Sequence, residues 1–201
     1  MRMPALWSLL LTPLMIAPLL AISDSATRIL DQFSTVTAAL EANQATIDRY
    51  QGGLIPAVSV GKQNYDTWCA MRGANSHIYH GDNQLNGEDS DDIVQQLVAL
   101  SQKATRLMQT YKDKEPLLRR ARVSFVVPIV MQALYREADD MRITIAGQVP
   151  ESHSASLQEM KITFDSSWTD AFDAYTMNLA SDSEDYKPIF SLTEPFFKYF
   201  V

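Results

Sequence analysis

The chain has 201 residues, 46% of them hydrophobic and 20% charged, with a formal net charge of −7 and one cysteine, Cys69. That length supports a single domain with its own core, and the acidic balance excludes a general nucleic-acid binder, which needs clustered Lys and Arg against phosphates. A lone cysteine excludes an intrachain disulfide, so the fold must rest on packing.

Residues 1–23 read as a signal peptide. Arg2 is the only charge before Asp24, Leu6 to Ile22 is almost wholly apolar, and Ala21-Ile22-Ser23 offers small residues at the positions a signal peptidase reads. A transmembrane anchor is the competing reading. The run lies near the lower limit of about 17 residues for a span, and Pro13 and Pro18 interrupt it, so no span is expected once the signal is cleaved.

The first helix is expected from Ile29 to Gly53. Ile29, Phe33, Val36, Leu40, Ile47 and Tyr50 form an apolar seam by steps of three and four, with Asn43 in its one gap. Gly52 and Gly53 end it, since glycine accepts left-handed backbone. A second helix opens at Leu54, with Pro56 in its first turn. Leu54, Val58, Tyr65 and Trp68 continue the same spacing as its expected inner face, and the helix is expected to fray between Arg72 and His80. Cys69 is expected to be buried beside Trp68 and Met71, the alternative being a reactive or intermolecular thiol. Residues 81–89 form a polar loop without the acidic spacing of a calcium site.

Ser90 or Asp89 is expected to cap the third helix, whose seam is Ile93, Leu97, Leu100, Ala104, Leu107 and Tyr111. Lys112 to Glu115 reads as a charged link, after which Pro116 starts a fourth helix. Leu118, Arg122, Phe125, Ile129, Gln132, Tyr135 and Met141 run along it, and Val126, Val127, Val130, Met131 and Leu134 make its middle apolar nearly all round. Pro128 is expected to kink this helix, and Gly61 to loosen the second, so a gap between helices is expected around these two residues. Gly147 and Pro150 end the fourth helix. The fifth carries Leu157, Met160, Phe164, Trp168, Ala171, Phe172, Tyr175 and Leu179.

The fold class is therefore all-α, a single-domain bundle of about five helices. Residues 24–180 form the bundle, and residues 181–201 form an acidic and then aromatic tail that either folds back or presents an apolar patch. No catalytic motif stands out. His77 and His80 lack a third metal ligand, His153 sits among serines that local capping explains, and Asp139-Asp140 reads as a solvated face. No metal and no cofactor is implied.

The order of elements resembles the fungal hydrophobic surface-binding protein family, also called the cell wall galactomannoproteins. The resemblance rests on the signal peptide, the Tyr50-Gln51-Gly52-Gly53 step, Leu54 opening a second helix, the run from Asp92-Ile93 to Leu107-Met108, the Lys112-Asp113-Lys114 link, and the helix from Leu157 to Leu179. It implies a five-helix bundle, secreted or held in the cell wall, that binds hydrophobic surfaces or fatty-acid-like lipids between its helices. It also implies a secreted hydrolase as a partner, recruited to such a surface. On this reading the protein is not an enzyme, and Phe33, Val36, Leu40, Val58, Tyr65, Leu97, Leu100, Phe125, Phe164 and Trp168 line the interior as apolar ligand contacts or serve as plain core. Two other readings stand beside it. One is a structural wall protein or antigen without a ligand. The other is a helical enzyme of a biosynthetic pathway, with Glu137, Asp139, Asp140 and His153 the residues to test.

Overall fold

A computed structural model of the chain describes residues 23–79 and 85–181, with backbone alone over 177–181. The leader, His80, most of the loop after it and the aromatic tail lie outside the described residues. Five long helices follow one another: α1 (Asp24–Arg49), α2 (Leu54–Tyr79), α3 (Gly87–Arg120), α4 (Val127–Ala146) and α5 (Ser154–Ser181). Short 3-10 turns at Ser124–Val126 and Glu151–His153 precede α4 and α5.

Each helix buries a stripe against two neighbours. α1 packs on α2 and α3, α3 on α5, α5 on α4, and α4 on α2, which closes a ring of five helices around one core. The seam of α1 is as expected: Ile29, Phe33, Val36, Leu40 and Ile47 are buried, and Asn43 is buried among them. Ser23, at the expected end of the leader, caps α1 by accepting the Ala26 amide at 3.2 Å. Gly52 and Gly53 adopt φ of +107° and +92° in the turn that reverses the chain. The Lys114 ammonium donates to the carbonyls of Asp48 and Tyr50, both at 2.9 Å, and so satisfies the end of α1 from α3.

α2 departs from expectation. Its inner face is Val60, Asn64, Thr67, Met71, Ala74 and Ile78, while Leu54, Val58 and Tyr65 point outward. The helix is apolar on both sides, so spacing alone favoured the wrong one. The polar residues Asn64 and Thr67 go inside because hydrogen-bond partners wait there. Cys69 lies two positions from Thr67 and Met71, which turns it away from the core, and it is exposed rather than buried. α2 also continues to Tyr79 instead of fraying at Arg72. The side-chain amide of Asn75 holds it by donating to the carbonyl and carboxylate of Glu137 on α4, both at 2.8 Å.

α3 begins earlier and ends later than expected. Its N-cap is Asn86, which accepts the Asp89 amide at 2.8 Å, so Asp89 and Ser90 lie inside the first turn and are buried. The expected charged link is helical, because the seam continues through Tyr111, Glu115 and Leu118 by steps of four and three. Pro116 sits exposed inside the helix and starts nothing. The break comes at Ala121 to Val123. The amide of Arg122 bonds the carbonyl of Arg119 at 2.8 Å, and that of Val123 bonds the carbonyl of Leu118 at 3.1 Å. Arg122 itself has φ +59°. This is the Schellman ending, with arginine at the position glycine usually holds. Pro128 then falls in the first turn of α4, where a missing N–H costs nothing, so it does not kink the helix. The inner face of α4 is Val127, Pro128, Met131, Leu134, Met141 and Ile145.

Candidate apolar groove

Short turns make α1 and α2 run in opposite directions, and α3 and α4 likewise. One end of the bundle therefore gathers the α1–α2 turn and the α3–α4 turn. From that end an apolar groove of about 190 Å³ runs between α2 and α4 over α3. α2 supplies Leu54, Ala57, Val58 and Gly61, α3 supplies Met108 and Leu118, and α4 supplies Val127, Val130, Met131 and Leu134. Val123 and Val126 close the side nearest the α3–α4 turn. The lips are open: Leu54 is 63% exposed, Val58 67% and Val126 41%. Leu54 also borders an open mouth of about 450 Å³ formed with Gln51, Gly52, Gly53, Leu117, Arg120, Ala121 and Arg122.

The inner end of the groove meets Asn64 and Tyr111. Ten residues separate Leu54 from Asn64, which sets the groove's length at about 15 Å. Behind it lies a buried polar cluster. The Asn64 side-chain amide donates to the Tyr111 hydroxyl at 2.6 Å and to the Val60 carbonyl at 3.0 Å. Tyr111 Oη donates to Asn43 Oδ1 at 3.0 Å. The Asn43 amide donates to Asn64 Oδ1 at 3.0 Å and Thr67 Oγ1 at 3.1 Å, and Thr67 Oγ1 donates to the Gln63 carbonyl at 2.8 Å. Every donor of the cluster is engaged. Burial pushes the Tyr111 phenol well above its ordinary range, against a smaller opposing effect of the Asn64 hydrogen bond, so it remains a donor.

A second void of about 30 Å³ lies among α1, α2, α3, α4 and α5, room for about one water. The structure brings Leu40, Leu97, Leu100 and Phe164 together around it. Phe33, Val36 and Trp168 are buried in the core and border neither space, Trp168 lying 4.9 Å from Phe164 between ring centroids. Val58 stands on the lip of the groove, Phe125 is half-buried in the 3-10 turn before α4, and Tyr65 is exposed, 5.8 Å from Trp68. Thus the sequence-expected lining is divided between core, a small void and the surface. The groove residues Met108, Val127, Val130, Met131 and Leu134 were absent from it. The signal for those on α4 was the middle of the expected fourth helix, Val126 to Leu134, apolar nearly all round and so more than one buried stripe requires.

Three of the four residues of the enzyme reading are tied into structural pairs, and the fourth, Asp140, is exposed on the outer face of α4. Asp139 accepts Arg142 at 2.7 Å, Glu137 accepts Asn75, and His153 lies 3.4 Å from Asp91. Among the described residues no three His, Cys, Asp or Glu side chains gather as a metal would require. No described helix is long and apolar enough to cross a membrane.

The fold and groove define a five-helix bundle with an apolar groove that is open along its lips and at one end. The family model described as hydrophobic surface binding protein A matches residues 26–146, and the chain belongs to that family. No curated protein matches the chain by sequence. Among solved structures it is similar to Afmp4p in complex with palmitic acid, at 16% identity and a TM-score of 0.71, covering 75% of this chain and 99% of that one. It is equally similar to ligand binding domain 2 of the Penicillium marneffei MP1 protein complexed with multiple arachidonic acids. That match has 15% identity and a TM-score of 0.71, covering 77% of this chain and 98% of that one. Domain 1 of the same protein, complexed with arachidonic acids, matches at 11% identity and a TM-score of 0.70, over 75% and 98% of the two chains. These likenesses establish the shared bundle.

Proposed function

We propose that this protein is a non-enzymatic binder of single-chain lipids, with the apolar chain lying in the groove between α2, α3 and α4. The observation that carries the reading is the groove itself: nearly all its walls are apolar, and it opens to water along its lips and at one end. A close-packed bundle of this size has no need of such a channel. At about 190 Å³ it is smaller than the 300 Å³ or more of most small-molecule pockets, so it holds part of a chain and leaves the rest along the exposed lips. The family membership and the fatty acids held by the similar structures support the same class of ligand.

The test is a fluorescent fatty acid that binds saturably and is displaced by palmitate. Gly61 is exposed, lines the groove, and has open space where a Cβ would stand. Gly61→Phe should weaken binding about tenfold or more while leaving the protein at least as stable, since glycine is a poor helix former. Absence of saturable displacement from the wild type would overturn the reading.

A second reading is favoured by one specific feature, the outward apolar face of α2. Leu54, Ile55, Val58 and Tyr65 are 63%, 84%, 67% and 51% exposed along one helix. Such a face suits adsorption to an apolar surface, and recruitment of a secreted hydrolase to that surface belongs with it. Both readings place the protein outside the cell or in its wall, in keeping with the family.

A further inference from the structure

We propose that Arg120 and Arg122 select a carboxylate head group at the mouth of the groove. The ligand is then a long-chain fatty acid anion, with its head at the α3–α4 turn and its chain directed toward Asn64 and Tyr111. This rests on the groove being the lipid site and adds the orientation and the head-group chemistry.

The inner end cannot take a polar head. The donors of Asn43, Asn64, Thr67 and Tyr111 are all spent on one another and on backbone carbonyls. The walls between are apolar, so a charge there would go unpaired. Among the described residues, only the open end of the groove carries available donors. Arg120 and Arg122 both border the mouth, and among the described residues neither forms an ion pair. Their neighbours are committed elsewhere: Arg119 faces Glu115 at 3.4 Å, and Lys114 holds the end of α1. In a chain of net charge −7 this is an unpaired positive spot at the end of an apolar channel.

Helix electrostatics accounts for part of it, because arginines complement the negative end of α3. It does not account for Arg122, which lies past that end with φ +59°, where glycine would serve the fold better. A residue held in a disfavoured conformation at the mouth of a site points to a role there. The guanidinium fork matches a carboxylate, and the narrow groove admits one chain. Extended chain advances about 1.2 Å per bond, so a groove of about 15 Å holds roughly a dozen methylenes.

The experiment compares dodecanoate with dodecanol on the wild type and on Arg120→Gln/Arg122→Gly, with anionic phospholipid vesicles as a third probe. The wild type should bind dodecanoate roughly five- to tenfold more tightly than dodecanol, a preference that shrinks with added salt. The double variant should lose that preference while its dodecanol affinity stays unchanged. Arg122→Gly alone should unfold at the same temperature as the wild type or higher, which separates the head-group role from a structural one. An unchanged preference in the double variant overturns the proposal. So does arginine-dependent vesicle binding without dodecanoate binding, which would assign the arginines to a membrane. If the wild type binds neither dodecanoate nor dodecanol, the groove reading itself has failed.

Discussion

Asn43 shows how one residue sets the register of two helices. It fills a seam position on α1 where every neighbour is apolar, and it is fully buried. A buried amide with unmet bonds would be costly, yet its partners Asn64, Thr67 and Tyr111 come from α2 and α3 and close the set. Removing one member strands the others. Asn43→Ala should therefore destabilise the fold by about 3 kcal/mol, read as a fall in the thermal midpoint of roughly 6–12 °C. Replacing all four by apolar residues of similar shape should recover most of that loss, because no polar group then remains unpaired. A single-variant loss within experimental error would show that the cluster is hydrated rather than closed. Tyr175 extends the same tie to α5, its hydroxyl donating to the Tyr111 carbonyl at 2.6 Å.

At the scale of elements, α3 and α2 carry most of what differs from the sequence reading. α3 runs through Pro116 because its buried seam continues on the far side, at Leu118, and packing outweighs the one hydrogen bond proline lacks. Pro116 is exposed, so its ring contributes little burial in return. Pro116→Ala should stabilise the protein by about 1–3 kcal/mol in chemical denaturation, with the slope of the transition unchanged. A loss of stability would mean that the proline rigidifies the approach to the α3–α4 turn. α2 has the opposite character. Its outward residues are more apolar than some of its inward ones, which gives the groove a lip and the molecule an exposed hydrophobic stripe.

At the scale of the whole molecule, an acidic bundle presents that stripe and an apolar groove side by side. Adsorption to an apolar surface should then depend on α2. Leu54→Lys/Ile55→Lys/Val58→Lys should lower retention on a hydrophobic resin or wax several-fold without loss of helical signal, since all three side chains are exposed. Unchanged retention would move the contact to another face. The helical class, the five helices, the α1 seam and the turn at Gly52-Gly53 were legible in the chain, because short-range periodicity and glycine chemistry determine them locally. The family was legible in the order of those same elements. The inner face of α2, the true end of α3 and most of the groove's lining were not, although a gap beside Gly61 and Pro128 was expected. Each depends on what a side chain meets across the bundle: Asn64 and Thr67 turn inward only because Asn43 and Tyr111 are there, and Val130 and Met131 become groove wall only because α2 stands off from α4 at Gly61. The sequence by itself determined that the chain forms five helices and where the first of them turns back. The tertiary structure decided which of two apolar faces is buried and where packing stops, since burial is a property of neighbours that one-dimensional spacing does not contain.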